Sequence, residues 1–291
     1  MKQKNDRAAK PSVSVTVTEG GGLLECARRE LKGWSAGKVK SCLEHRQISV
    51  DGQVCTQFDA PVKAGQRITV APKGAAVHLP MPVLYEDDSL LVVDKPAGLL
   101  VVATEQEKSR TAIRMLRDAG VSPLYVVHRL DRDTSGVLVF AKSQPVRDAL
   151  QQNWDSVKRQ YIAVCEGVFE EKSGHCDTLL TENVNHVVYS SPNGGKRAIT
   201  DYEVVSDNGL YSLLHITIST GRKNQIRVHM KELGHPVVGD KKYGSGAGPL
   251  GRLALHSSLL GLRHPVTGEY LELKAPMPAK LRLKNLPSAD Q

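Results

Sequence analysis

Apolar residues fall into short runs along this chain, and their spacing assigns an element to each run. Leu23, Leu24, Ala27 and Leu31 recur at helical intervals, and Gly33 is placed to stop that helix. Ser35 stands as the N-cap of a second helix that turns Val39, Cys42 and Leu43 inward and shows Lys38, Lys40, His45 and Arg46 on its other face. Ile48, Val50 and Val54, broken by Asp51-Gly52, predict a hairpin with a two-residue turn. Val62 to Val70 predicts a closing strand. Between Ala71 and Pro82 three prolines and one glycine interrupt any regular pattern, which predicts a linker.

From Val83 onward the runs lengthen. Leu90–Val93, Tyr125–Val127, Val137–Phe140, Tyr161–Cys165 and Leu213–Ile218 read as strands, and Lys95-Pro96-Ala97-Gly98 as a turn after the first. Ser143 is placed to cap a helix running to about Asp155. A further helix spans Asn224 to Leu233, with Ile226, Met230 and Leu233 on one face and Gly234 as its stop. Helices do not alternate regularly with strands. The expected fold is therefore α+β, a mixed, largely antiparallel sheet with flanking helices, preceded by a small α/β domain. The expected division is a disordered lead at 1–12, a compact module at 13–71, a linker at 72–82 and a larger domain at 83–285.

Charge changes this picture in one respect. The 291 residues carry a formal +8, and residues 1–80 hold 13 Lys+Arg against 7 Asp+Glu, so six of those eight charges sit in the first quarter. Such a segment suits a polyanion, although a merely solvated surface has the same composition. Aromatic residues make up only 4%, which argues against a long base-stacking platform. The five cysteines are widely spaced and form no C-x-x-C pair, so neither a disulfide framework nor a metal site is expected. No secretory signal and no membrane span are read from the chain, and the expected location is the cytoplasm.

Two segments concentrate chemistry. His128-Arg129-Leu130-Asp131-Arg132-Asp133-Thr134-Ser135-Gly136 lies between two strand-like runs and must be a loop. Such a loop is a candidate site, or a polar turn whose Asp and Ser bond their own backbone. Gly221 to His229 opens a helix on which Arg227 points about 100° away from Ile226. Arg222, Lys223 and Arg227 there can meet a carboxylate or a phosphate, or can form a solvated face. Gly239-Asp240-Lys241-Lys242-Tyr243-Gly244 reads as a polar turn, and Tyr161 as a residue inside a strand.

Together these strings resemble the RluA-type RNA pseudouridine synthases. H-R-L-D-x-x-T-S-G followed by V-L-V-F-A-K is similar to the family's catalytic motif. Val93 to Gly98, Lys158 to Ala163, Gly221 to Gly244 and Arg252 to His256 resemble its other motifs, in order. Residues 13–71 separately resemble an S4-type RNA-binding domain. The resemblance implies that Asp131 is the catalytic carboxylate, with Tyr161 stacking on the target base and Arg227 paired with Asp131. It also implies that Arg129 fills the space left by a flipped nucleotide. Many relatives have histidine where this chain has Asn224. Lys38, Lys40, Arg46, Arg222 and Lys223 are the expected RNA contacts.

The implied reaction breaks the N1–C1′ bond of uridine, turns the uracil and joins C5 to C1′. It involves no redox change and no water, so no cofactor and no metal are expected. A carboxylate is suited to the first step as nucleophile or base, and Arg227 is expected to hold it ionised. The expected partner is structured RNA, ribosomal RNA of the large subunit before transfer RNA, and the expected state is a monomer. The alternatives are a transfer-RNA synthase, a non-catalytic S4-type RNA-binding protein, and a hydrolase using Asp131 and Asp133 as a carboxylate pair. That last reading needs a separation of about 5–9 Å, which two nearby turn residues do not guarantee.

Overall fold

The computed structural model describes residues 12–44, 47–55, 57–71, 79–246 and 248–289. His45 and Arg46, the first eleven residues of the expected lead and residues 72–78 of the expected linker lie outside the described residues. The chain separates into two units. One runs to Pro80 and takes in Arg114–Pro123; the other comprises Met81–Ile113 and Leu124–Gln291.

The first unit is built from β1 (Val13–Thr16), β2 (Gly21–Gly22), α1 (Leu23–Glu30), α2 (Ala36–Glu44), β3 (Ile48–Val50), β4 (Gln53–Val54), β5 (Pro61–Val62) and β6 (Arg67–Val70). Leu23, Cys26, Ala27 and Leu31 bury one face of the first helix against Val39, Leu43, Ile48, Ile68 and Val70. The cap of α2 is as expected, with the Ser35 hydroxyl accepting the Lys38 N–H at 3.2 Å. Asp51 and Gly52 both take positive φ, 48° and 83°, the geometry of a two-residue hairpin turn. The strand expected across Val62–Val70 is split. Gly65, at φ 88°, reverses the chain and donates its N–H to the Val17 carbonyl at 2.8 Å. Only Arg67–Val70 enters the four-stranded sheet, whose order is β1-β6-β3-β4.

The second unit is dominated by one eleven-stranded sheet. Its strands are β7 (Val83–Glu86), β8 (Leu90–Lys95), β9 (Tyr125–Val126), β10 (Ser135–Ala141), β11 (Lys158–Glu166), β12 (Ser173–Glu182), β13 (Val188–Ser190), β14 (Lys196–Asp207), β15 (Tyr211–Ile218), β16 (Leu255–Arg263) and β17 (Tyr270–Lys274). The order along the sheet is β13-β12-β14-β15-β11-β16-β10-β8-β7, with β17 beside β16 and β9 beside β10. The architecture is mixed α+β and largely antiparallel, with one parallel step between β10 and β16. All seven residues of β10 are buried, which explains its unbroken apolar run. The largest cores lie around Leu214, Ile216, Ile226 and Met230 and around Leu90, Val92, Val137, Val139 and Leu150, with a smaller one at Leu180, Val188, Ala198, Val228 and Tyr243.

Of the helices, α3 (Ala112–Asp118) follows β8 and α4 (Gln144–Gln152) follows β10, capped by Ser143 through the Val146 N–H at 3.4 Å. The pattern predicted α4 as far as Asp155; the α-helix ends at Gln152 and a 3-10 turn follows at Trp154–Ser156. α5 (Gln225–Glu232) is led by Asn224 in the left-handed region, φ 55°. Ile226 and Met230 face the core as predicted, whereas Leu233 is exposed.

Candidate active site

The loop from His128 to Thr134 joins β9 to β10 at the point where β10 meets β16. Buried residues anchor it: Val127, Leu130 and Thr134 are out of solvent, while Arg129, Arg132 and Asp133 face it. Gly136 follows at φ 113°. A Cβ there would lie 2.0 Å from the Ser257 carbonyl oxygen, so the tight parallel contact between the two strands requires glycine.

Two buried groups hold the loop from below. Lys95, fully buried at the end of β8, donates through Nζ to the carbonyls of Pro96 (2.9 Å), Leu99 (2.8 Å) and Arg132 (3.1 Å). Gly98 N–H donates to the same Arg132 carbonyl at 2.9 Å. Burial pushes Lys95 down to about 7, opposed by the charges of Asp133 and Asp131. Ser135 Oγ accepts from Arg252 Nη2 at 2.7 Å and lies 2.8 Å from His256 Nδ1; His256 Nε2 faces the Ala275 carbonyl at 3.4 Å and carries the ring proton, so Ser135 donates to Nδ1 of a neutral imidazole. Burial of His256 lowers its pKa to about 4, consistent with that state. His128 is also neutral: burial takes it to about 3, and its Nε2 accepts the Val139 N–H at 3.1 Å.

Above the loop is a pocket of about 90 Å³, lined among others by Arg129, Asp131, Tyr161, Arg222, Asn224 and Arg227. That volume is well below the ~300–1,000 Å³ of pockets that enclose drug-sized ligands, and it suits a single ring. Asp131 is the one carboxylate among the described residues that line it. Asp133 is exposed and lines no part of it, so the paired-carboxylate arrangement of a hydrolase is not assembled here. Tyr161 stands on β11 at the pocket wall, and its hydroxyl is pushed up to about 12, chiefly by burial, so it remains protonated.

Arg227 reaches Asp131 with Nη1 at 3.7 Å from Oδ2, an ion pair rather than a hydrogen bond. Its firm partner is Asp240, whose side chain is fully buried and accepts from Nε at 2.7 Å and from Nη2 at 2.8 Å. Asn224 Oδ1 accepts from Nη1 at 3.0 Å, and Asn224 Nδ2 donates to the Tyr243 hydroxyl at 3.0 Å. The guanidinium is thus set by a bidentate carboxylate and an amide, with its remaining charge turned toward Asp131. Gly239 makes this possible: at φ 73°, with the Arg252 carbonyl oxygen 2.2 Å from where a Cβ would stand, it lets the Asp240 turn pack closely.

Asp131 is pulled in two directions. Desolvation raises its pKa, and the opposing charges of Arg227, Lys95 and Arg129 do not cancel that effect. Arg227 therefore limits the rise.

The remaining residues divide. Arg129 is exposed at the pocket rim. Arg222 lines the pocket and donates from Nε to the Arg197 carbonyl at 2.9 Å. Lys223 is paired with Glu182 and does not face Asp131's pocket. Lys38 and Lys40 belong to the first unit and are exposed on α2. Asp240, Lys95 and Tyr243 were not singled out from sequence. All three stood inside motif strings, but a polar turn and a strand end gave no sign that these side chains would be buried.

A family model described as RNA pseudouridylate synthase matches residues 89–232. The chain is 31% identical over 281 residues to the uncharacterized RNA pseudouridine synthase YhcT of Bacillus subtilis, covering 91% of this chain and 92% of that one. It is 33% identical over 295 residues to ribosomal large subunit pseudouridine synthase D of Vibrio cholerae, covering 91% and 90%. Among solved structures, human RNA pseudouridylate synthase domain containing 1 superposes with a TM-score of 0.60 at 25% identity, covering 75% of this chain and 94% of that one.

Proposed function

The chain belongs to the RNA pseudouridylate synthase family and is an RNA uridine isomerase, and we propose that it acts on large-subunit ribosomal RNA with Asp131 as its catalytic carboxylate. The observation that carries the Asp131 assignment is its position as the one carboxylate, among the described residues, lining a pocket of single-ring size. Similarity to synthases named for the large ribosomal subunit supports that RNA over transfer RNA.

The chemistry follows from the geometry. Uridine and pseudouridine are isomers, so the site must cleave N1–C1′, keep the detached uracil, turn it and join C5 to C1′, while C5 loses a proton and N1 gains one. Ionised Asp131 serves the first step as nucleophile or base. Arg227, held by Asp240 and Asn224, keeps a positive charge 3.7 Å from it. The ring of Tyr161 holds the uracil by its face. A base inside a helix cannot reach such a pocket, so the nucleotide flips at a cost of a few kcal/mol. Arg129 at the rim occupies the vacated space and offsets part of that cost.

The same reading makes residues 13–71 an S4-type RNA-binding domain and 83–285 the catalytic domain. Lys38, Lys40 and Arg46 contact RNA in the first, and Arg222 in the second. Lys223 contributes only where a phosphate displaces Glu182. The enzyme acts as a cytoplasmic monomer.

The test is incubation of wild type and Asp131→Asn with large-subunit and transfer-RNA transcripts, followed by nucleoside analysis. Pseudouridine in the ribosomal transcript with wild type alone is expected. Product on transfer RNA only would overturn the substrate assignment, and product from the variant would remove Asp131 from its role.

A further inference from the structure

A second concave site lies wholly within the first unit. It is a groove of about 570 Å³ between the start of α1 and the α1–α2 turn, lined by Leu24, Arg28, Trp34 and Phe58 with Glu25 and Asp59. The chain has only two tryptophans and three phenylalanines, so Trp34 and Phe58 in one groove are a concentration of its scarcest residues. Each ring carries its own cation. Lys38 Nζ stands 3.7 Å from the Trp34 ring centroid, and Lys40 Nζ stands 5.4 Å from that of Phe58.

Phe58 is the informative residue. It is 53% exposed, a cost for a large apolar ring in water. Its backbone is pinned, since its carbonyl accepts the Leu24 N–H at 2.7 Å in the first turn of α1. The neighbouring Ala60 carbonyl accepts the Leu23 N–H at 2.9 Å. These bonds satisfy donors that the helix start leaves open, because Gly22 provides no side-chain cap. The loop is therefore held by its backbone, while the ring is left outside and contributes little to the core. Trp34 differs, packing in part against the core.

We propose that this groove is a nucleobase-binding site, in which one unpaired base of the RNA stacks on Phe58 and Trp34 while Lys38 and Lys40 hold the flanking phosphates. The proposal rests on the reading of the first unit as RNA-binding. Exposed rings supply sequence-tolerant stacking, and adjacent lysines supply the charge a polyphosphate chain seeks. Glu25 and Asp59 line the groove beside Arg28 and Arg29, so it offers acceptors to the N–H edge of a base as well as donors, while Lys38 and Lys40 stand outside it on α2. The occupant is thus a base with its phosphates on the α2 side.

The two kinds of interaction separate by salt. The full chain is titrated with a fluorescein-labelled single-stranded RNA of mixed sequence, and with the same strand carrying abasic sugars, across a range of salt. Phe58→Ser should weaken binding to the base-bearing strand roughly 5- to 100-fold. The slope of log affinity against log salt should stay unchanged, and the preference over the abasic strand should fall. Phe58→Tyr should restore affinity. Lys38→Ala and Lys40→Ala should each flatten the salt slope by roughly 0.7, the single-strand value for one phosphate. Circular dichroism and the denaturation midpoint confirm that each variant is folded. If the lysine variants lose salt dependence while Phe58→Ser binds as wild type, the base site is wrong and the RNA-binding reading stands. If none of the variants changes RNA binding, both fall. Tighter binding of wild type to a polyglutamate peptide than to RNA, lost in Phe58→Ser, would make the groove a protein-docking site and overturn the proposal.

Discussion

The two units use charge in opposite ways. In the second unit the charged groups that support the pocket, Lys95, Asp240 and Arg227, are withdrawn from water and given defined partners. Lys95 is enclosed by three carbonyls, Asp240 is fully buried, and Arg227 is largely buried between Asp240, Asn224 and Asp131. In the first unit Lys38 and Lys40 stand in solvent beside aromatic rings. A buried charge is costly to leave unpaired, so it fixes geometry and tolerates little change. An exposed charge contributes little to the fold and acts over a distance that salt shortens. Catalysis needs the first kind and capture of a polyanion the second.

The comparison is broken most directly at Asp131. Asp131→Asn keeps the shape and removes the charge, and turnover should fall to background with RNA affinity within a few fold. Nucleoside analysis beside a binding titration reads both quantities. Loss of affinity in parallel with turnover would mean that the pocket binds RNA through Asp131 and that the division of labour is wrong.

The next largest effect belongs to the Arg227 clamp. Arg227→Met should nearly abolish turnover. Because Arg227 opposes the upward shift of Asp131, any residual activity should need higher pH: the acidic limb of kcat/KM moves up, away from the ~3.9 of a free Asp. Asp240→Asn leaves the guanidinium present but loosely held. A misplacement of about 1 Å in a catalytic group can cost about 100-fold, and a loss of that order is expected here. An unshifted acidic limb in Arg227→Met would show that Asp131 is not the group being titrated.

A smaller effect, read on stability, is expected at Lys95. Lys95→Met takes the donor from the Pro96 and Leu99 carbonyls and leaves the Arg132 carbonyl with Gly98 N–H alone, a loss of roughly 1–3 kcal/mol for a group left unsatisfied. The sign with pH can be checked. The folded value, about 7, lies below the ~10.4 of an unfolded lysine. Between those values the unfolded chain binds more protons, so the Lys95 contribution to stability grows as pH rises. The deficit of Lys95→Met in urea denaturation should therefore widen from pH ~7 to pH ~10; a constant deficit would contradict the burial argument.

The smallest change in rate belongs to the first unit. Lys38→Ala with Lys40→Ala should leave single-turnover rates at saturating RNA near wild type. Each phosphate no longer neutralised by a lysine should reduce the salt slope by roughly 0.7–0.9. A drop in the chemical rate at saturation would tie these lysines to the catalytic step and remove the contrast between the units.

Much of this was legible along the chain because it is local. Helix caps at Ser35 and Ser143, the Asp51-Gly52 turn and the apolar run of β10 depend on neighbours a few residues away. The charge excess of the first quarter needs only counting. Asp131, Tyr161 and Arg227 were identifiable because their motif strings resemble those of known synthases, and the structure brings all three to one pocket. The split at Gly65 and the exposure of Leu233 were not legible, since an apolar run does not report where its register breaks or which end of a helix leaves the core.

Other features depended on residues far apart in sequence. Asp240 is thirteen positions from Arg227, and as part of a polar turn it looked solvated. Lys95 ended a strand and gave no indication of three carbonyls folding over it from two loops. Ser135, Arg252 and His256 meet only because β10 and β16 run parallel at the sheet centre, across more than a hundred residues of chain. The upward push that burial gives the Asp131 carboxyl belongs here too, because desolvation depends on everything packed around it, and Arg227 opposes that push from a distant helix. Sequence by itself determined which groups are candidates for the chemistry and where most helices and strands of the first unit form, as both follow from residue type and short-range spacing. Tertiary structure alone decided which charges are removed from water and what they face there, because burial is a property of the whole packed sheet.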